Sequence, residues 1–415
     1  MNRSFGSPCN DFKTYRWGTQ RTVAPSATLA RILPYARPMG ITRVANVTGL
    51  DQIGLPVVMV SRPNSRSLAV AQGKGLDLVA AKVSGLMEAM ESYHAETITA
   101  PLKYASYREL RDTDHTLIDV EGLPRSRYAR YHEQLRLSWI EGYDLINDKT
   151  LWLPFESVST DYTLPLFPGS GCFAATTNGL ASGNNRPEAI CHGLCEVIER
   201  DATALWHLRE DTDKQQTVLD LDSVRDPLCR QVLDIYEQAG MAVLVWDVTT
   251  DVGVAAFYCL VMERDSATAQ PECGAGCHPL REVALLRALT EAAQVRTTYI
   301  AGSRDDLDPE QYEAEATAQR VRVCQRYLDQ YRPVRDFEAV PSFAVDTFRE
   351  DLDWLLARLC AVGITQTAVV DLSKPAFDLS VVRVIVPGLE GPYKGEHSDY
   401  LPGPRARALA AGEGA

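Results

Sequence analysis

The sequence predicts a mixed α/β (α+β) fold built around an internally repeated helix, and three observations carry that reading. Stretches with apolar residues at helical spacing alternate with short β-branched runs along most of the 415 residues. A helix pattern holding a carboxylate pair occurs twice, in Gly85-Leu-Met-Glu-Ala-Met-Glu91 and in Gly193-Leu-Cys-Glu-Val-Ile-Glu-Arg200. A chain that is 45% hydrophobic can bury a sizeable core, and no low-complexity tract, heptad run or solenoid period competes with a packed domain.

Taken in order, residues 1 to about 50 read as a polar lead, a short helix near Thr28 to Leu33 and a strand around Thr42 to Val47. Leu55 to Val60 is strand-like and is ended by the turn chemistry of Ser61-Arg-Pro-Asn-Ser. Gln72-Gly-Lys-Gly75 reads as a tight loop that feeds a helix from Leu78 to Glu96, and Lys74 there is placed to meet an anion. Residues 105 to 150 are charged and weakly patterned and are expected on the surface. After a glycine turn at Gly169-Ser-Gly171, the segment Thr176 to Asn185 reads as a polar loop, and Pro187 opens a helix that runs to Leu208. Helices are then expected over Asp226 to Ala239, Leu280 to Ala301, Pro309 to Tyr327 and Thr347 to Val362. Strands are expected over Met241 to Trp246, Val254 to Met262, Gln366 to Val370 and Val381 to Val386. The tail from Leu401 is rich in Pro, Ala, Gly and Arg and is expected to be loose.

A formal charge of -13 leaves no basic excess to cover phosphates over a wide surface, which argues against a general nucleic-acid or anionic-membrane binder. Ten scattered cysteines lack the density of a secreted disulfide scaffold and read as free thiols of a cytoplasmic protein. Neither a signal-peptide stretch at Met1 to Tyr15 nor a membrane-length apolar run is present. Cys273-Gly-Ala-Gly-Cys277-His278 invites a zinc reading, but no second ligand pair lies nearby, so an ordinary loop is expected there. The chain has no Gly-x-Ser-x-Gly elbow, Gly-x-Gly-x-x-Gly fingerprint or His-Glu-x-x-His pair.

The acid pairs carry the chemistry. Acids three apart share one helix face, and here their neighbours are apolar or small, so each pair needs a counter-charge, a shared proton or a divalent ion. Glu88, Glu91, Glu196 and Glu199 together make a hard oxygen donor set suited to magnesium, with phosphate as the companion ligand. Asn178, Ser182 and Asn184 add polyphosphate donors, and Lys74 and Arg200 add positive charge. His192, one turn before Glu196, is positioned to donate to a carboxylate. A third helix, Arg287 to Arg296 followed by Gly302-Ser-Arg-Asp-Asp306, echoes the other two and adds Glu291 and Arg304 to the expected pocket. No residue stands out as a catalytic group in its own right.

Several stretches together resemble the YcaO family of ATP-dependent enzymes that modify peptide backbones. They are Gln72 to Gly75, Ala81 to Glu91, Asn178 to Asn184, Glu188 to Asp201, Arg287 to Asp306 and Val381-Val-Arg-Val-Ile-Val-Pro-Gly-Leu-Glu390. The resemblance implies ATP and Mg2+ between helices, an N-terminal segment over 1–70, a catalytic domain over 71–390 and a tail over 391–415. It implies magnesium binding by Glu88, Glu91, Glu196 and Glu199, and nucleotide contacts from Asn184, Arg200, Ser84 and Lys74. The implied reaction phosphorylates a backbone amide oxygen so that another atom replaces it. External sulfide then gives a thioamide, and a Cys, Ser or Thr side chain gives an azoline. Pro402-Gly-Pro404 stands where azoline-forming members carry Pro-x-Pro-x-Pro, which favours thioamide formation with a TfuA-like partner. A peptide-recognition partner of the E1-like kind, a precursor peptide or protein as substrate, and a homodimer belong to the same expectation. A nucleotide-binding accessory factor and a generic ATP hydrolase or ligase are the alternatives from other classes.

Overall fold

Three glycine-bearing strands each run straight into a long helix, and the glycines let the helix lie with its backbone against the strand. The computed structural model describes residues 11–264, 270–304, 306, 312–393 and 401–412. Its first part contains α1 (Pro25–Ile32), β1 (Arg43–Asn46), β2 (Val57–Ser61), β3 (Val70–Lys74) and α2 (Leu78–Glu96). Next come β4 (Leu102–Ser106), α3 (Tyr107–Asp112), β5 (Arg136–Asp144), β6 (Lys149–Pro154), β7 (Leu180–Gly183) and α4 (Arg186–His207). Then follow α5 (Asp211–Gln215), α6 (Pro227–Gln238), β8 (Met241–Asp247), β9 (Ala256–Glu263), β10 (Glu272–Cys277) and α7 (Arg281–Ala301). The remainder is α8 (Ala314–Gln330), α9 (Phe348–Ala361), β11 (Ala368–Asp371), β12 (Ser380–Ile385) and α10 (Pro404–Ala410).

The strands form three sheets whose pairings are all antiparallel. β1-β2-β3 and β10-β9-β8 are three-stranded, and the third sheet runs β4-β5-β11-β12-β7 with β6 on β5. β3 precedes and packs on α2, β7 on α4 and β10 on α7. The units also interlock in a cycle, because α2 touches β7, α4 touches β10 and α7 touches β3. The first turn of α2 is capped by Asp77, which accepts from the Ala80 N–H at 2.7 Å, and that of α4 by Asn185, which accepts from Glu188 at 2.9 Å. Apolar residues collect in three cores, one under α2 with β5 and β6, one between α4, α9 and β12, and one between α6, α7, β8 and β9.

Several expectations need correction. Gln72 to Lys74 is the end of strand β3, not a loop, and Cys273 to Cys277 is strand β10. Within the expected loop Thr176 to Asn185, Leu180 to Gly183 is strand β7. In each case glycine reads as a turn residue, yet the reason for it is close approach. A Cβ on Gly73 would overlap the Ala81 carbonyl and the Gly85 N–H of α2, and one on Gly276 would overlap the Ala284 carbonyl of α7. The segment 105 to 150 is not all surface, since β5 carries Trp139 and Ile140 into the core. The tail forms α10, held by Glu390, whose carboxylate accepts from the N–H groups of Gly403 at 2.8 Å and Ala406 at 2.9 Å. The expected start of the helix at Pro309 lies outside the described residues, as do Asp305 and the first ten residues of the polar lead.

Replacing Gly73 or Gly276 by alanine should destabilise the protein by about 1–3 kcal/mol through overpacking. Gly49→Ala, where nothing lies within 4 Å, should stay within about 0.5 kcal/mol of the parent. Urea midpoints check both, and equal midpoints for all three variants would contradict the close-approach argument.

Candidate functional site

The cyclic interlock brings the repeated acids to one centre. Glu88 and Glu91 come from α2, Glu196 and Glu199 from α4, and Glu291 from α7. Contacts between the units hold them there. Ser182 of β7 donates its N–H to Glu91 Oε1 at 2.8 Å and its hydroxyl to the same oxygen at 2.5 Å. Lys74 of β3 forms an ion pair with Glu291, and Arg287 of α7 donates to His192 of α4 at 3.2 Å. The Arg200 guanidinium lies 3.3 Å from Glu199, and Arg304 exerts its charge on Glu88 while pairing with Asp306.

The balance of charge at this centre is unusual. Burial pushes Glu88 up to about 7 against the pull of Arg304 and Lys74, Glu91 to about 8 with Glu88 and Glu196 as like charges beside it, and Glu196 to about 7. These three side chains keep partial contact with solvent, so the cause is dense surrounding protein and not complete enclosure. Glu199 is 2% exposed and is raised by burial in spite of Arg200. Glu291 is burdened by burial as well, but Lys74 and Arg200 hold it below its ordinary value. Arg200 itself is raised despite burial, by Glu199, Glu291 and Glu196.

Placement of the remaining expected residues is uneven. Ser84 stands one turn before Glu88 on α2. Asn184 is engaged elsewhere, donating to Glu188 at 2.9 Å and accepting from Thr28 at 2.8 Å and Arg31 at 2.5 Å. Asn178 lies before β7 beside Arg383, in a separate cavity. His192 does not donate to a carboxylate: burial and the charges of Arg287 and Arg21 keep its ring neutral, its Nε2 accepts from Arg287, and its one N–H goes to the Ser182 backbone. Sequence reasoning gave no role to Arg287 and missed Arg21, whose Nε lies 3.7 Å from Glu188. Arg287 sits within the repeated helix, a signal that was available. Arg21 lies in a segment without pattern.

The donor set fits a hard divalent cation. Glu199 Oε2 is buried with no hydrogen-bond partner, and among the described residues Glu88, Glu91 and Glu196 have no ion pair within 4 Å. Among the same residues no three His, Cys, Asp or Glu side chains converge tightly enough to hold an ion by themselves. The acids are near enough to feel one another's charge and remain spread around the centre. Cys273 and Cys277 are free thiols in β10 and make no such cluster either.

The class of protein is given by the family to which the fold and the repeated helices belong, an ATP- and Mg2+-dependent one. Residues 72–390 match the YcaO family, described as a YcaO cyclodehydratase that binds ATP and Mg2+, and the chain belongs to that family. A protein of the tfuA 3′ region in Rhizobium leguminosarum bv. trifolii is 38% identical over 389 residues, covering 91% of this chain and 90% of the relative. A Methanothermobacter thermautotrophicus protein is 34% identical over 382 residues, covering 89% and 95%. YcaO from Methanopyrus kandleri, solved with AMPPCP and Mg2+, superposes with a TM-score of 0.74 at 22% identity over 93% of this chain and 99% of its own. A heterocyclase solved with substrate and cofactor gives 0.75 at 22% identity over 94% of this chain, and the chain spans 55% of that protein. At such identities the two structures speak for the fold. No helix among the described residues is long and apolar enough to cross a membrane.

The raised acids make stability pH-dependent in a stated direction. Their folded pKa values of about 7, 8 and 7 lie above the ordinary glutamate value of 4.5, so the folded chain holds protons that the unfolded chain has lost. Their favourable contribution is full below the unfolded value and is lost as pH rises through 7 to 8. The melting temperature of the ligand-free protein should therefore fall from about pH 5 to about pH 8 and level off above, the span between the unfolded and folded values. In Glu88→Gln/Glu91→Gln/Glu196→Gln the slope should flatten, and an unchanged slope would show that these acids are not the cause.

Proposed function

We propose that this enzyme converts a backbone amide of a ribosomally made peptide or protein into a thioamide at the expense of ATP. The observation that carries the choice of sulfur is the 38% identical relative from the tfuA 3′ region, which supports a TfuA-like partner as the source of sulfur. In the reaction, hydrosulfide adds to the amide carbon and the former carbonyl oxygen attacks the terminal phosphorus of ATP, releasing ADP. Expulsion of that oxygen as hydrogen phosphate leaves C=S, so one hydrosulfide and one ATP yield one thioamide, ADP and phosphate. Nine described cysteines, all free thiols, support a reducing cytoplasm as the setting.

Roles for the residues follow from their places. Glu88, Glu91, Glu196 and Glu199 hold Mg2+, which when bound supplies charge stabilisation at the phosphates. Lys74 is released from Glu291 to meet phosphate oxygens, and Arg200 and Arg287 supply further positive charge from α4 and α7. Ser182 orients Glu91 through its two hydrogen bonds. Ser84, Arg304 and Asn184 border the nucleotide, with Asn184 exchanging partners on binding. A second reading, azoline formation by a Cys, Ser or Thr side chain of the substrate, is supported by the likeness of fold to the heterocyclase.

Intact-mass analysis of candidate peptides with ATP, Mg2+ and the partner, with and without sulfide, separates the two. Replacement of one oxygen by sulfur, seen only with sulfide, is the expected result, and loss of one water without sulfide establishes the azoline reading instead. Glu199→Gln should lower the rate by at least about 10²-fold. Because the acids must lose protons to hold the cation, affinity for Mg2+ and ATP should rise as pH increases from about 6 to 8.5. Full activity of Glu199→Gln would remove the acid centre from the mechanism, and a pH-independent affinity would do the same for its titration.

A further inference from the structure

Strand β12 carries a charged residue where its pattern demands an apolar one. Val381 and Ile385 enter one core, Val382 and Val384 another, and Arg383 between them is 3% exposed. Its Nη2 donates to the Thr176 carbonyl at 2.6 Å, whereas Nε and Nη1 are buried without a partner. Arg383 lines a cavity of about 50 Å³ together with Asn178, Thr176, Ala174, Val197 and Glu390. Asn178 Oδ1 is also buried and unpartnered. The Glu390 carboxylate is already occupied by the Gly403 and Ala406 N–H groups. Glu196, next to Val197 on α4, and Tyr162 are the other groups whose charge acts on the guanidinium.

Resting on the thioamide reading above, we infer that the Arg383–Asn178 cavity binds hydrosulfide, the small anion that supplies sulfur, beside the acid centre. Three properties point the same way. A buried guanidinium with two unused donors is satisfied by an anion and not by a neutral amide, since only an anion also cancels its charge. The bare Asn178 oxygen needs a donor, and hydrosulfide carries one S–H where a halide carries none. The cavity has room for a small ion against both groups. With Mg2+ on Glu196, that acid no longer compensates Arg383, so anion and metal binding reinforce each other.

Anaerobic calorimetry of the full chain with sodium hydrosulfide, against sodium chloride and inorganic phosphate, tests the site without any turnover. Saturable hydrosulfide binding is expected, weakened at least about tenfold in Arg383→Gln and in Ala174→Leu, and Ala174→Leu should leave ATP affinity within about twofold of the parent. Ala174→Leu fills the rim and keeps the arginine, so it decides the matter if Arg383→Gln fails to fold. An anomalous selenium peak at Arg383 in crystals soaked with hydroselenide is the matching structural result. Absence of saturable binding, equal binding in both variants, or displacement of hydrosulfide by equimolar phosphate would overturn the inference. The first outcome leaves thioamide formation with sulfur handed over by the partner. Conversely, binding intact beside a peptide product that has only lost water would sink the thioamide reading and leave the anion site standing.

Discussion

Everything at the acid centre depends on how closely a helix backbone can approach a strand. Where β3 meets α2 and β10 meets α7, a side chain as small as alanine on the glycines named above would overlap backbone atoms of the helix. Close approach fixes the rotation and height of each helix relative to its strand, because backbone atoms in contact have no rotamer to adjust. Glu88 follows by three residues the Gly85 N–H that Gly73 meets, and Glu291 follows by three the Ala288 N–H that Gly276 meets, so each contact lies within one turn of an acid and fixes its place directly. Strand glycines thus set acid positions without touching them.

Held in this way, the acids do not relax to cancel their own charge. Glu291 has Lys74 and Glu199 has Arg200, but three further carboxylates are raised into the neutral range by burial and by one another. A structure selected only for stability would place apolar or amide groups there. In the role proposed for these acids, the energy withheld from folding is what a cation and its phosphates would recover on binding. His192 shows the same logic in a minor key, since a neutral ring accepting from Arg287 keeps that arginine in place without consuming its charge.

The limits of legibility in the sequence follow from the same physics. Helix α2 runs over the predicted residues Leu78 to Glu96, and the repeated helices α4 and α7 lie within one residue of their expected ends, because periodicity and caps are local signals. Strands β3, β7 and β10 were hidden, since glycine is depleted in strands and marks turns elsewhere, and only a tertiary neighbour explains it here. The acids were legible as a set, but the pairing of Lys74 with Glu291 joins residues 217 apart and follows only from the cyclic order of the units. Arg21 and Arg383 left no trace for a related reason. One lies in an unpatterned segment and the other inside an apolar strand, and each acquires meaning from what packs opposite.

Helix α4 is held near both of its ends by segments far from it in sequence. Near its start, Glu188 accepts from the Thr22 N–H at 3.0 Å and the Thr22 hydroxyl at 2.8 Å. Near its far end, buried Asp201 accepts from the Glu390 N–H at 2.9 Å and lies 3.0 Å from Arg405 of α10. Glu196 and Glu199 lie between these two anchors. Asp201 is pushed up to about 7 by burial even with Arg405 beside it, so its bonds to the C-terminal part are what keep an acid tolerable at that depth. The segment around Thr22 and α10 are therefore structural parts of the site although neither contributes a carboxylate to it. A helix gripped at both ends can present acids to a centre where their mutual repulsion would otherwise drive it outward.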